Sequence, residues 1–171
     1  MRLSYLSFNY GERNNKNEVI NIKNASNEAK RVLRKFLSKH SFKQVFLIGY
    51  SLGSGVAVMS ACQKSIKFDG IILVSIFDNL KQLLAQRGIE FTEKDNICPS
   101  KLVKNIEIPI VFIHGNKDTS VPMKRGLTVY ENSDKKKSLF IAINADHYFK
   151  DHKSRKELCE SVKKSLSFIS N

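Results

Sequence analysis

Short apolar segments alternate along this chain with segments whose apolar residues recur at helical spacing. Val45-Phe46-Leu47-Ile48 and Ile71-Ile72-Leu73-Val74 are apolar throughout, as expected of strands that are covered on both faces. Between residues 25 and 40, apolar residues recur at offsets 0, 4, 7, 8, 11 and 12, which places them on one face of a helix. Such alternation predicts a parallel β-sheet with helices on both faces.

The pattern predicts about five strands and the helices that connect them. Strands are expected at residues 3–10, 44–48, 70–74, 109–113 and 139–143. Helices are expected at about 25–40, 51–63, 122–131 and 152–169, with a short one near residues 80–84 and a polar loop over 12–23. We therefore expect an α/β fold with a single domain over residues 1–171. Within it, the segment 76–107 is long enough to form a small lid.

A serine follows the second predicted strand in a pattern typical of a nucleophile. Gly49-Tyr50-Ser51-Leu52-Gly53 matches G-x-S-x-G, in which the serine occupies a strained strand-to-helix turn and small flanking residues avoid a collision across it. The following helix start points backbone N–H groups at the serine. The alternatives are a plain turn or a phosphate-cradling loop. The second is less favoured, because this segment contains neither the Lys-Ser/Thr of a P-loop nor G-x-G-x-x-G.

A serine nucleophile needs a base and a group that orients this base. Asp118 lies just beyond the fourth predicted strand and His147 just beyond the fifth. Both therefore reach the sheet edge where Ser51 lies, because the carboxyl ends of parallel strands share one edge. The alternatives are that Asp118 caps the helix beginning near residue 122 and that His147 is a surface histidine. Asp78, after the third strand, is the reserve acid.

The other candidate side chains suit structural roles better. His40 ends a helix, His114 is expected to be buried at a strand end, and His152 opens the last helix. Asp146 would have to fold back to reach Nδ1 of His147. The three cysteines are widely spaced and form no Cys-x-x-Cys pair, which argues against a disulfide framework or a zinc site and favours a reducing, cytoplasmic compartment. They are Cys62, Cys98 and Cys159.

Basic residues outnumber acidic ones by 29 to 16, for a net charge of +13. Such a surplus attracts nucleic acid or anionic membrane surfaces, and an anion-binding role predicts salt-sensitive binding. The basic residues are spread along the chain, and the triple Lys135-Lys136-Lys137 is expected in a solvated turn. No nucleic-acid partner is predicted, because no stripe of stacking aromatics accompanies them. No apolar run approaches the roughly 18 residues of a membrane span, and no secretory signal peptide is recognised.

Together these motifs resemble those of the α/β-hydrolase superfamily. The matching pieces are Gly49-Tyr50-Ser51-Leu52-Gly53-Ser54-Gly55, His114-Gly115-Asn116-Lys117-Asp118-Thr119-Ser120-Val121-Pro122 and Asp146-His147. They are most similar to those of serine aminopeptidase-like, dienelactone hydrolase-like and depalmitoylase-like proteins, and Phe8-Asn9-Tyr10-Gly11 also resembles a strand end of that branch. The resemblance implies a triad of Ser51, Asp118 and His147 in the superfamily's chain order, with the Leu52 N–H in the oxyanion hole. It implies no metal and no organic cofactor.

The resemblance also implies that residues 3–10 correspond to the fourth strand of the family sheet. The three strands that usually precede it are then missing, and with them the loop that normally supplies the second oxyanion-hole donor. Three interpretations stay open. The chain is a fragment of a decayed or mis-started gene, its first strand pairs directly with the second, or two chains form a homodimer through an exposed strand edge.

We therefore expect a minimal α/β-hydrolase that acts on a small-molecule acyl substrate. The expected reaction is hydrolysis of a carboxylic ester or thioester through an acyl-enzyme. Esters are favoured over peptides because alkoxides and thiolates leave more readily than amines. The alternatives are a catalytically inactive remnant or binding module, and a serine peptidase of the same fold.

Overall fold

The structure is a computed structural model that describes residues 4–7, 22–90, 97–134 and 138–170. Helices and strands alternate over most of these ranges. The strands are β1 (Phe46–Tyr50), β2 (Gly70–Val74), β3 (Ile110–Gly115) and β4 (Ser138–Ile143). The helices are α1 (Ile22–Leu37), α2 (Leu52–Cys62), α3 (Leu80–Ala85), α4 (Pro99–Leu102), α5 (Met123–Glu131) and α6 (His152–Ser170), and a 3-10 turn, Val103–Asn105, follows α4.

The four strands form one parallel sheet in the order β1-β2-β3-β4. Ile48 pairs with Ile72, and Leu73 pairs with Phe112. Because all three strand pairings are parallel, all four carboxyl ends lie at one edge of the sheet. The predicted α/β class with a parallel sheet is confirmed, and the chemistry is expected at this edge.

Helices cover both faces of the sheet, as predicted. On one face, α2 and α5 pack against alternate residues of the two central strands, including Leu73 and Phe112. On the other face, α6 packs against the intervening residues. The helix α1 lies further from the sheet, where its Ala25 and Ala29 pack near Val56 of α2. Both central strands are buried throughout, which explains their continuous apolar sequence.

Most predicted elements are confirmed with small shifts of their ends. The strand at residues 70–74 has the predicted bounds, whereas α1 begins at Ile22 and ends at Leu37, three residues earlier than predicted. The polar loop predicted over 12–23 therefore overlaps the first two residues of α1. Apolar periodicity indicates the buried face of a helix and not its polar first turn, so the predicted helix begins too late. The helix α4 was not predicted; it begins at Pro99, a residue type favoured in a first turn.

The strand predicted at residues 3–10 is not a strand where the structure describes it. Residues 4–7 have no regular structure and are all exposed, and the rest of that segment lies outside the described ranges. The prediction relied on β-forming side chains, whereas a strand exists only when a neighbouring strand supplies hydrogen bonds. The described sheet therefore has four strands instead of about five.

The strand β1 forms one edge of this sheet. One side of β1 pairs with β2, and no strand in the described ranges pairs with the other side. Ile48 and Tyr50 on this strand are 55% and 43% exposed. An open edge with exposed apolar side chains favours pairing with another strand. The homodimer predicted through this edge agrees with that tendency and stays a prediction.

Several further predictions concern the connecting segments. The segment 76–107 contains α3, α4 and the 3-10 turn, but residues 91–96 and the triple Lys135-Lys136-Lys137 lie outside the described ranges. The small lid and the solvated turn thus stay predictions. All three cysteines are free, and burial raises the pKa of the Cys62 thiol, which makes it a poor nucleophile. None of the described helices is long and apolar enough to cross a membrane.

Candidate active site

Ser51 lies at the turn between β1 and α2, at the carboxyl edge of the sheet. Its φ of 51° and ψ of −120° define a strained backbone conformation, which costs about 1–3 kcal/mol in residues other than glycine. Its N–H donates a hydrogen bond of 2.9 Å to the carbonyl oxygen of Val74. This bond ties the turn to the end of β2, so the surrounding structure maintains the strain.

Gly49, two residues before Ser51, has no room for a side chain. A Cβ atom there would lie 2.6 Å from the carbonyl oxygen of Gly53 and 2.6 Å from Cα of Ser54. Both atoms belong to the backbone and cannot move without displacing α2. The close approach of strand and helix predicted from G-x-S-x-G therefore requires a glycine at this position.

Ser51, His147 and Asp118 lie in one chain of hydrogen bonds. Nε2 of His147 is 3.0 Å from Oγ of Ser51, and Nδ1 of His147 is 2.7 Å from Oδ2 of Asp118. The Asp118 side chain is fully buried and the His147 side chain is 9% exposed, whereas Ser51 is half-buried. An Nδ1–H that donates to the carboxylate leaves Nε2 as an acceptor for the serine hydroxyl. The arrangement can therefore take the proton from Ser51.

Asp118 also holds its own loop in place. Its Oδ1 accepts a hydrogen bond of 2.7 Å from the N–H of Val121, while its Oδ2 faces His147. Burial by itself raises the pKa of Asp118, but the hydrogen bonds from His147 and from the Val121 N–H outweigh it and lower the pKa below its ordinary value. The alternative role of Asp118 as a cap of α5 is not observed, because Pro122 is the N-cap of that helix and receives no side-chain hydrogen bond, while Asp118 binds the N–H of Val121 before the helix begins.

A second histidine, His114, holds the Asp118 loop through a hydrogen bond to its main chain. It is fully buried at the end of β3, as predicted. Its Nε2 donates a hydrogen bond of 2.8 Å to the carbonyl oxygen of Val121 and lies 3.6 Å from Oδ2 of Asp118. Burial lowers its pKa, so the ring is neutral. Its Nδ1 has no partner in the described ranges and packs against Gly126, where a Cβ would lie only 2.4 Å away.

Two residues near the site were missed in the sequence analysis. Ser75, directly after β2, is fully buried with a φ of 51°. Its hydroxyl contributes to the lowered pKa of Asp118, although it makes no hydrogen bond of ordinary geometry within the described residues. Tyr50 precedes Ser51 at a position where G-x-S-x-G accepts any residue. Their positions at the carboxyl ends of β1 and β2 were the available signal.

The imidazole of His147 lies close to two tyrosine rings. The ring centroid of Tyr50 is 5.3 Å from that of His147, and the ring of Tyr148 meets the imidazole edge-on at 5.2 Å. The Tyr50 hydroxyl also donates a hydrogen bond of 2.6 Å to the main-chain oxygen of His147. Nζ of Lys150 is 5.0 Å from the centre of the exposed Tyr148 ring. The candidate base therefore contacts two aromatic rings.

The structure does not bring the other acidic candidates to His147. The carboxylate of Asp78 accepts hydrogen bonds from the Arg125 guanidinium and from the N–H of Asn79. Asp146 accepts a hydrogen bond from the N–H of Tyr148 and does not bind Nδ1 of His147. Over the described ranges, no group of three or more His, Cys, Asp or Glu side chains is placed to hold a metal ion.

The loop that carries His147 must cross the sheet to reach Ser51, because β4 and β1 are at opposite ends of the strand order. Three strand spacings amount to about 14 Å. The loop passes over Gly115, where a Cβ would lie 2.3 Å from the carbonyl oxygen of Ala145. The N–H of Lys117 donates to that same oxygen at 3.0 Å. The absence of a side chain at Gly115 therefore allows the two loops to meet.

We expect Gly115→Ala to separate these loops and move His147 away from Ser51. Displacement of a reacting group by about 1 Å can cost about 100-fold in rate, and such a clash typically costs about 1–3 kcal/mol of stability. Ester hydrolysis and urea unfolding measure the two effects. The control is Gly88→Ala, where φ is +69° and nothing lies within 4 Å of the added Cβ. We expect it to lose stability but not activity; an unchanged rate for Gly115→Ala would contradict the argument.

A parallel sheet with helices on both faces and Ser, Asp and His at its carboxyl edge defines the class of α/β-hydrolase folds. The Pyrococcus furiosus esterase Pf2001 superposes with a TM-score of 0.71 at 17% identity, over 86% of this chain and 62% of that one. The acylaminoacyl peptidase of Pyrococcus horikoshii superposes with a TM-score of 0.69 at 15% identity, over 86% of this chain and 27% of that one. At these identities the similarity establishes the fold alone.

The chain belongs to the serine hydrolase family described as FSH1, whose model matches residues 7–158. Lysophosphatidylserine lipase ABHD12 of Danio rerio is 27% identical over 117 residues, which cover 57% of this chain and 31% of the lipase. The chain spans 23–31% of the length of the curated relatives it matches. The resemblance to the α/β-hydrolase superfamily is thereby confirmed.

Proposed function

We propose that this protein hydrolyses carboxylic esters and thioesters through an acyl-enzyme on Ser51, with His147 as the base and Asp118 as the orienting acid. The observation that carries the proposal is the chain of hydrogen bonds from Oγ of Ser51 through the imidazole to Oδ2 of Asp118, at 3.0 and 2.7 Å. Membership in a family of serine hydrolases supports the same chemistry.

In the first half of the reaction, Oγ of Ser51 attacks the carbonyl carbon of the ester. Nε2 of His147 accepts the hydroxyl proton as the new C–O bond forms, and the carbonyl oxygen becomes an oxyanion. Asp118 keeps the proton on Nδ1 and stabilises the imidazolium. The imidazolium then donates its Nε2 proton to the leaving alkoxide or thiolate, whose bond to the carbonyl carbon breaks. The product of this half is an acyl-enzyme.

In the second half, water attacks the acyl-enzyme while His147 accepts one of its protons. Collapse of the second tetrahedral intermediate returns the proton to Oγ of Ser51 and releases the acid. Leu52 is the first residue of α2, so its N–H has no carbonyl partner within the helix. This N–H is therefore available as the oxyanion donor. A preorganised N–H group in such a position typically contributes about 10²–10³ in rate.

The site also suggests where to begin the search for a substrate. The rings of Tyr50 and Tyr148 beside His147 form an apolar wall that suits an acyl chain or an apolar leaving group. The relative in Danio rerio is named as a lipase of lysophosphatidylserine. We therefore include lysophosphatidylserine among the esters to be tested, beside p-nitrophenyl esters of increasing chain length.

The experiment that tests this function is labelling of the purified protein by a fluorophosphonate, which phosphonylates an activated serine and releases fluoride. We expect the wild type to be labelled and to hydrolyse at least one ester of the panel. We expect Ser51→Ala to be neither labelled nor active, because the attacking oxygen is gone. The control is Ser60→Ala, which removes a buried hydroxyl that contacts only Ser26 among its described hydrogen-bond partners.

The outcome separates the proposal from its alternatives. Labelling that persists in Ser51→Ala would assign the nucleophile to another residue. Absence of labelling in a folded, monodisperse wild type would contradict an activated serine and favour an inactive hydrolase-fold module. Cleavage of peptide amides in preference to every ester would favour a serine peptidase.

A further inference from the structure

We propose that Tyr50 is a positioning residue that holds the main chain of His147 over Ser51. The inference rests on the proposed serine hydrolase function and extends it to a residue with no part in the proton transfers. Tyr50 is the last residue of β1, directly before Ser51, and its register with Val74 is set by strand pairing. Its side chain therefore extends from paired strand backbone directly beside the nucleophile turn.

The contact is a direct one between two segments 97 residues apart in the chain. The Tyr50 hydroxyl donates a hydrogen bond of 2.6 Å to the main-chain oxygen of His147. The Tyr50 ring lies 5.3 Å from the imidazole at an angle of 31°, and 6.4 Å from the ring of Phe149. One side chain thus contacts both the main chain and the ring of the proposed base.

The His147 loop needs such a contact because it crosses the sheet without regular structure. Before His147, the loop is held by the hydrogen bond from Lys117 N–H to the Ala145 oxygen. After it, Nε of Arg155 donates to the main-chain oxygen of Phe149 at 3.2 Å. The hydrogen bond from Tyr50 lies between these two and acts at His147 itself.

The Tyr50 contact also differs in kind from the two contacts of the imidazole. Nδ1 faces Asp118 and Nε2 faces Ser51, and the contact with Ser51 changes at every proton transfer. The hydrogen bond to the main-chain oxygen takes no part in the reaction. It therefore persists when the ring releases Ser51, which keeps Nε2 aligned for the next step.

The substitution that tests this inference is Tyr50→Phe, which keeps the ring and removes only the hydroxyl. Because Tyr50 is 43% exposed, water can replace the hydroxyl at the His147 oxygen and the fold should be preserved. We expect kcat for ester hydrolysis to fall roughly 3–10-fold, the effect of one orienting hydrogen bond, with KM within about 2-fold. The matched control is Tyr130→Phe, which removes a hydroxyl from a ring in α5 that packs against Phe112 and Phe140.

A second measurement makes the test independent of turnover. The Nδ1–H proton of His147 should give a low-field proton NMR signal, identified by its loss in Asp118→Asn. We expect this proton to exchange faster with solvent in Tyr50→Phe than in the wild type or in Tyr130→Phe. A merely structural role for Tyr50 would lower the unfolding temperature without selectively changing either kcat or this exchange rate.

Each outcome decides one of the two proposals. Equal kcat and equal exchange rates in the two tyrosine variants would overturn the positioning role, as would a rise in KM alone, which would limit the Tyr50 hydroxyl to substrate binding. If the wild type neither labels nor hydrolyses esters, the proposed function fails. The exchange rate of the His147 proton then still decides whether Tyr50 holds the histidine.

Discussion

His147→Gln is expected to reduce ester hydrolysis by about 10⁴–10⁶-fold, since loss of the base in a serine triad has effects of this size. Glutamine retains a polar side chain that can contact Asp118 or Ser51, but its amide does not take up a proton at neutral pH. Oγ of Ser51 then keeps its hydrogen and is a weak nucleophile. Fluorophosphonate labelling should disappear together with turnover, because both require the activated serine.

The measurement compares initial rates on the best p-nitrophenyl ester with the circular dichroism spectrum of each variant. The control is His40→Gln, since this histidine packs against Phe36 at the end of α1, away from the sheet edge. We expect the control to keep its rate within about 2-fold. A His147→Gln variant that retains a tenth of the wild-type rate would show that His147 is not the base.

Asp118→Asn is expected to lower kcat by about 10⁴-fold while leaving the fold intact. The Val121 N–H fixes the orientation of the new amide, because it needs an acceptor at the position of Oδ1. The asparagine oxygen takes that position and turns its NH₂ group toward Nδ1 of His147. A donor at Nδ1 stabilises the wrong tautomer, with the hydrogen on Nε2, so the imidazole no longer accepts the proton of Ser51.

Rates of ester hydrolysis and labelling measure this effect, and Asp146→Asn is the control. Asp146 is the neighbour of His147, but its carboxylate bonds the N–H of Tyr148 instead of the imidazole. We expect this control to change the rate by less than about 2-fold. Comparable losses in both variants would mean that the negative charge near the loop matters and that the contact with Nδ1 does not.

A comparison of the wild type with Asp118→Asn also tests how the free energy of unfolding depends on pH. Because the pKa of Asp118 is lowered in the folded state, its ionised form stabilises the fold above the unfolded pKa of about 3.9. This contribution is lost as the pH falls through the folded pKa. The difference in free energy of unfolding between wild type and Asp118→Asn should therefore be constant from about pH 5 to 7 and shrink below about pH 4. Urea unfolding across this range measures it, and a difference that grows in acid would contradict the sign.

The residues predicted from the sequence were those whose signals are local. G-x-S-x-G predicted the close approach at Gly49, because the collision it avoids lies within one turn. The continuous apolar runs predicted buried strands, and three strand ends placed Ser51, Asp118 and His147 at one edge. The strand at residues 3–10 was wrong where the structure describes it, since β-forming side chains do not supply a pairing partner.

The amino-acid sequence by itself determined the class of fold and which side chains reach the carboxyl edge, because periodicity and turn chemistry depend on neighbours in the chain. Only the tertiary structure decided how the edge is assembled. The Tyr50 hydroxyl binds the main chain of His147 across 97 residues. The absence of a side chain at Gly115 leaves room for the carbonyl oxygen of Ala145, and Ser75 is buried near Asp118. The contacts of Tyr50 and Gly115 arise because the loop after β4 crosses two strand ends to reach β1, and no local pattern specifies its path.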